Sequence, residues 1–344
     1  MSEQSSVELE KLVMMAYSRG ASDLHLLVGE PPTLRIDGVL ERTDITPLTA
    51  NETRAIASAV MSSDKIEQIE REGGAVERSI TFGEVAARFC VARVSGDISI
   101  SVRLIPTSVP SVDMLGLPKG LIEAGKAPMG LIVFSGRIGS GKSTAAYSLL
   151  DHINSNSSAN IHTLEDPIMY RLIPKKSLVQ QREVGVDIPD TISGLRQLIH
   201  MDPDVIFMSE VKTLEDLQAV ITAAETGHLV IMVMHADSPE EAIQRIGDVF
   251  SEQIRPFYRK ALAGVLRCVS CQRLIPKIGG GRVAVFGVLV PDEEMRTAIA
   301  EGEDVFSRKT PLPENCIRMP DEINRMAREG IISEETAKAY LADI

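Results

Sequence analysis

Apolar residues at Leu9, Leu12, Val13 and Ala16 recur at helical spacing and stop before Gly20, so the chain opens with an amphipathic helix closed by a left-handed glycine. Alternation then takes over. The run Thr33 to Leu40 places Asp37-Gly38 between two short apolar stretches, which predicts a hairpin. Thr49 followed by Glu52 is a capping box and starts a helix that runs to about Met61. Two further strands are expected over Val85 to Val94 and Ile98 to Leu104, joined through Ser95-Gly96-Asp97. The first hundred or so residues therefore read as a small α+β domain, residues 1–105.

From Pro106 to Pro118 three prolines and little periodicity mark a linker. Beyond it the pattern changes. Apolar runs at Met129 to Ser135, Asn160 to Leu164, Asp204 to Met208 and His228 to Met234 alternate with helical segments, the signature of parallel strands and crossover helices. Residues 119–344 are thus expected to form an α/β domain whose tail, after Pro291, is helical, with Ser333 as a helix cap.

Composition narrows the classes. With 36 Lys plus Arg against 48 Asp plus Glu the net charge is -12, which disfavours a nucleic-acid partner because phosphate-backbone binding needs clustered cations. No apolar run approaches the roughly 18 residues needed to span a bilayer. The amino terminus lacks the basic-then-apolar order of a secretory signal, so a cytoplasmic location is expected. Four cysteines do not make a disulfide framework, and Cys268-x-x-Cys271 has no second pair to complete a zinc site; these read as buried thiols.

The candidate chemistry lies in the second domain. Gly136 to Ser143 fits the phosphate-loop pattern G-x-x-x-x-G-K-[ST], directly after an apolar strand and directly before a helix. There the backbone N–H groups around Gly136, Gly139, Ser140, Gly141 and Thr144 would wrap the phosphates of ATP. Lys142 would neutralise the β- and γ-phosphates, and Ser143 would join the shell of Mg²⁺. A carboxylate at a neighbouring strand end must hold that ion, through water, or polarise the attacking water, and Glu210 fills this place with Ser209 where a first acid often stands. Glu165, Asp166 and His235 also fall at strand ends, which share one edge in a parallel sheet. His228, at a strand start, has a structural reading beside the functional one.

These motifs carry a resemblance. Gly136 to Ser143, Thr163 to Ile168, Gln181 to Gly185, Pro203 to Glu210, and Ala223 to Val230 with His235 resemble, in order, the phosphate loop, Asp box, a further string, Walker B and His box of the secretion ATPase superfamily that powers type IV pili and type II and type IV secretion. Ala21 to Leu26, Pro31-Pro32, Arg35 to Gly38 and Arg103 to Pro106 look like the start and end of its amino-terminal domain. The short amino-terminal arm and the end of the chain, Asp321 to Asn324 and Gly330 to Ala337, are similar to the pilus retraction ATPases. The resemblance implies a PAS-like domain followed by a RecA-like motor, a homohexamer, MgATP hydrolysis, and an inner-membrane platform protein as partner of a peripheral, cytoplasmic motor that retracts pili. It also implies that amino-terminal arginines reach the γ-phosphate; Arg88 and Arg103 are the candidates, with a solvated strand face as the other reading.

The departures are specific. The string Ser209 to Thr213 lacks an arginine and an acid usual after Walker B, Met169 replaces an acid of the Asp box, and Cys90 stands where an arginine is usual. Glu294 to Glu303 departs from the retraction signature, losing cations at Ala300 and Glu303. Two alternatives therefore accompany the retraction motor: an ATPase of a type IV secretion or conjugation apparatus, and a nucleotide-binding regulator that does not turn over.

Overall fold

The computed structural model describes residues 3–36, 38–83, 85–106, 108–306 and 311–343. The chain divides into two compact units, Met1–Ser108 and Val109–Ile344.

The first unit runs α1 (Glu3–Ser18), β1 (Asp23–Leu26), β2 (Thr33–Ile36), β3 (Val39–Arg42), α2 (Ala50–Val60), α3 (Ser63–Glu72), β4 (Ala75–Phe82), β5 (Val85–Val94) and β6 (Asp97–Pro106). Its six strands form an antiparallel sheet in the order β3-β2-β1-β6-β5-β4. Leu9 and Val13 of α1, Ile56 and Val60 of α2, and Ile66 and Ile69 of α3 share one core with Leu24, Leu34, Phe89 and Ile100 of the strands. Gly20 closes α1 at φ +71°, as its place after the apolar stripe requires. The Thr49–Glu52 capping box is formed in both directions. In the β2–β3 hairpin Gly38 has φ +86°, while its neighbour Asp37 lies outside the described residues.

The second unit runs α4 (Val112–Leu115), α5 (Lys119–Ala124), β7 (Gly130–Gly136), α6 (Lys142–Asn156), β8 (Asn160–Glu165), β9 (Leu178–Glu183), α7 (Thr191–Leu198), β10 (Val205–Met208), α8 (Leu214–Glu225), β11 (Leu229–Val233), α9 (Pro239–Asp248) and α10 (Arg255–Val265). It continues through β12 (Leu266–Pro276), β13 (Arg282–Leu289), α11 (Glu293–Glu301), α12 (Met319–Arg328) and α13 (Glu334–Leu341). The sheet order is β13-β12-β7-β11-β10-β8-β9, parallel from β12 to β9 with β13 antiparallel at one edge. Every residue of β7, β10 and β11 is buried. Helices must therefore cover both faces, as in parallel sheets generally. Successive residues accordingly enter opposite cores: Leu131, Ile206 and Val230 in one, Ile132, Val205 and Ile231 in the other. Among the described residues no helix is long and apolar enough to cross a membrane.

The stretch expected as linker is more ordered than its prolines imply. Ser111 caps α4 by accepting from Met114 N, and Val112 and Leu117 are buried in a core of the second unit. Several elements are absent from the sequence reading, among them α3, which buries only two isoleucines among charged residues, and the edge strands β4 and β9. An edge strand buries little, so its sequence carries a weak apolar signal.

Candidate nucleotide site

Parallel strands bring their carboxyl ends to one sheet edge, and β7, β8, β10 and β11 end there in Gly136, Glu165, Ser209-Glu210 and Met234-His235. Gly136 leaves β7 at φ +148°, where an added Cβ would lie 2.5 Å from Ser140 Oγ and 2.6 Å from Gln272 O. Only glycine fits. Gly139 lies in the turn that follows, and Gly141, at φ +82°, caps α6. Lys142, Ser143 and Thr144 form the first helical turn, so their N–H groups belong to the unsatisfied helix terminus. Ser140 is 6% exposed, and its Oγ is buried with no hydrogen-bond partner. Thr144 Oγ1 meets Tyr170 OH at 3.3 Å.

Lys142 is buried, and its Nζ donates to Arg137 O at 3.2 Å. Burial pulls its ammonium below the ordinary lysine range, and the charge of Glu210 opposes that shift. Glu210 lies 2.9 Å from Lys212 Nζ and 3.8 Å from His235 Nε2, and Asp166 lies 3.8 Å from the same Lys212 Nζ. Asp166 N donates to Ser209 Oγ at 3.0 Å, tying the ends of β8 and β10 together. His228 sits apart, donating from Nδ1 to Ala223 O at 2.9 Å, a bond that fastens the turn ahead of β11.

Glu165 is fully buried at the end of β8. Its Oε1 accepts from Thr163 Oγ1 and from Gln181 Nε2, the latter at 3.0 Å, and its Oε2 has no partner. Burial pushes the carboxyl up to about 8 from an ordinary 4.5. The folded protein therefore keeps a proton that the unfolded chain releases above its ordinary value. Stability from this group is full below about pH 4.5 and is lost as pH rises through about 8. Glu165→Gln, which cannot ionise, is expected to be more stable than the parent at pH 8 by a few kcal/mol and to match it near pH 4.5. Each tenfold difference in proton affinity between the folded and unfolded chain contributes about 1.4 kcal/mol. Denaturant midpoints of the two proteins at both pH values check this; parallel pH dependence would refute the buried proton.

Gln181 also donates to Tyr170 O and accepts from Leu172 N, and Glu183 accepts from Ile168 N. The string Gln181 to Gly185 thus pins the loop after Glu165 from the edge strand β9. Lys212, counted in sequence as a lost arginine, restores a cation beside Glu210. Thr213, counted as a lost acid, caps α8 in a capping box with Asp216. Cys268 and Cys271 lie buried on β12, where desolvation pushes both thiols up, Cys271 to about 11. In the first unit Arg88 and Arg103 are cross-strand neighbours on β5 and β6, and Arg103 pairs with Asp23 at 3.2 Å.

Residues 3–339 match the family described as Type II/IV secretion system protein. The chain belongs to that family. It is 35% identical over 299 residues to the type IV pilus retractation ATPase PilT of Pseudomonas aeruginosa, covering 86% of each chain. A solved structure of the pilus retraction motor PilT with bound ADP is similar at 37% identity and a TM-score of 0.86, with 95% of both chains covered. The ATPase DotB of Legionella pneumophila is similar at 25% identity and a TM-score of 0.86, covering 98% of this chain and 96% of that one. Mixed architecture, an antiparallel-sheet domain followed by a parallel-sheet ATPase domain, is thus shared with known members of this secretion-system family.

Proposed function

We propose that this chain is a hexameric ATP-hydrolysing motor that powers type IV pilus retraction, acting at the cytoplasmic face of the inner membrane on a platform protein. The observation that carries the reading is the phosphate cradle: Gly136 closed to any Cβ, a buried Ser140 hydroxyl without a partner, and buried Lys142 at a helix start. That donor set fits a phosphate chain. Identities of 35% and 37% to retraction ATPases against 25% to DotB support retraction over a type IV secretion role.

On this reading the loop N–H groups bind the phosphates, and Lys142 leaves Arg137 O for the β- and γ-oxygens. Ser143 and Glu210 would hold Mg²⁺, which when bound offsets charge on those oxygens. Water attacks the γ-phosphorus, its proton passes to Glu165, and the bond to the β–γ bridging oxygen breaks, with its electron pair leaving on ADP. Lys212 and His235 flank Glu210 at 2.9 and 3.8 Å, which places a cation and an imidazole beside the carboxylate. Arg88 and Arg103 supply cations to the transferring phosphoryl group.

Glu210→Gln keeps shape and loses charge, so it is expected to slow turnover by about a hundredfold or more while holding ADP affinity within about tenfold. Loss of nucleotide binding in that variant would mark Glu210 as a structural group instead. The segment departing from the retraction signature exposes Glu294, Glu301 and Glu303, while its one cation, Arg296, turns inward to Ala263 O and Leu266 O. Charge on an exposed face sets partner choice and association rate, so the platform surface this motor meets differs from that of typical retraction motors. The test of the function is deletion of the gene in the organism that carries it: pili that extend and do not withdraw support the reading, and unaltered withdrawal overturns it.

A further inference from the structure

We infer that Asp343, beyond the last helix, is a positioning residue for the phosphate loop: through Arg137 and Arg273 it holds the loop in the form that receives a nucleoside di- or triphosphate. The inference rests on the ATPase reading above.

Arg137 is the second residue of the loop, and its two ends do different things. Its carbonyl accepts from Ser140 N and from Lys142 Nζ, both at 3.2 Å, so its backbone sets the turn and the resting place of the lysine. Its guanidinium is gripped from two sides. Asp237, just past β11, accepts from Nε and Nη2 at 3.0 and 2.9 Å, and Asp343 accepts from Nη1 at 2.6 Å across 206 residues of chain. Paired guanidinium–carboxylate contacts of this kind fix geometry as well as charge.

The same carboxylate serves a second arginine. Arg273 on β12 is only 5% exposed, and it donates to Asp343 Oδ2 at 2.8 Å and to Asp343 O at 3.1 Å. Among the described residues Asp343 is the carboxylate paired with this buried cation. Arg273 follows Gln272, which is in register with Gly136 and whose carbonyl would meet a Cβ there at 2.6 Å. One aspartate thus steadies the loop from within and the strand beneath it.

Asp343 is not placed by chance of a loose end. α12 and α13 bury Met319, Ile323, Met326 and Ala337 against Cys271, Ile275 and Val285 of β12 and β13. Arg137, with Arg273 beside it, holds the Asp343 carboxyl below the usual range, so it is ionised at neutral pH. A cradle fixed before the ligand arrives binds more tightly than one that must be ordered on binding.

The experiment is a comparison of ADP affinity and of KM against kcat in the full chain. Asp343→Asn is expected to weaken ADP binding and raise KM for ATP by about tenfold with kcat little altered, because Glu165 and Glu210 do not touch it. Asp343→Glu should recover part of the loss, and Asp321→Asn, elsewhere on the tail, should leave ADP affinity as in the parent. Arg137→Gln keeps the Arg273–Asp343 pair and serves should Asp343→Asn fail to fold. It is expected to weaken ADP binding similarly, and in its background Asp343→Glu should have less effect than alone. ADP affinity unchanged in Asp343→Asn, or in Arg137→Gln where the first does not fold, overturns the inference even if the parent hydrolyses ATP. Absence of hydrolysis by the parent with ADP affinity weakened in the variants would sink the ATPase reading and leave the positioning role standing.

Discussion

Lys142→Ala is expected to lower ATP turnover by about a hundredfold or more, because catalysis of phosphoryl transfer is mostly positioning and electrostatic stabilisation. The lysine is buried at the start of α6 and tied to Arg137 O, so it approaches phosphate from a site where few water molecules screen its charge. Alanine also leaves the Arg137 carbonyl without that donor. The fold should survive, since α6 keeps its apolar face, Ala145, Ala146, Leu149 and Leu150, in the core. Phosphate release measured on folded Lys142→Ala protein checks the expectation, and turnover near that of the parent would remove the phosphate loop from the mechanism.

Glu165→Gln is expected to cut kcat by about a hundredfold or more with ADP affinity little changed, since proton transfer from the attacking water is worth roughly two to four orders of magnitude. The pH dependence separates a base from a merely structural carboxyl. In the parent, kcat/KM should rise with pH up to about 8 as the buried carboxyl ionises, because that ratio reports groups of the free enzyme. The glutamine variant should lack this limb. A parent profile flat from pH 6 to 8, or a variant that retains the limb, would assign the proton acceptor elsewhere, with Glu210 next in place.

What was legible in the chain follows from what each residue's neighbours contribute. β7, β10 and β11 are buried on both faces, so their apolar runs announce them, and the loop between β7 and α6 is read from its glycines and lysine. Glu165, Glu210 and His235 were legible as strand-end groups because parallel order puts strand ends on one edge. Edge strands β4 and β9 and the charged helix α3 bury too little to leave a clear period. The proline-rich stretch hid α4 for another reason: Ser111 caps a single turn, and one turn has no periodicity to detect.

Long-range partners were the other blind spot. Nothing local in Arg137, Arg273 or Asp343 signals that three residues far apart in sequence meet beside the phosphate loop. The role of Lys212 was hidden because comparison of strings counts a lysine as a lost arginine, whereas space asks only whether a cation reaches Glu210. The proton on Glu165 depends on burial, which a strand-end position does not fix.

A motor must turn over ATP, not merely hold it. Steady-state phosphate release from the purified protein with ATP and Mg²⁺, run beside Lys142→Ala, tests this turnover most directly. Continuous release of many phosphates per subunit by the parent and near-background release by the variant is the predicted result. Tight ATP binding by the parent with no release beyond one phosphate per subunit would contradict it and make the protein a nucleotide-binding regulator.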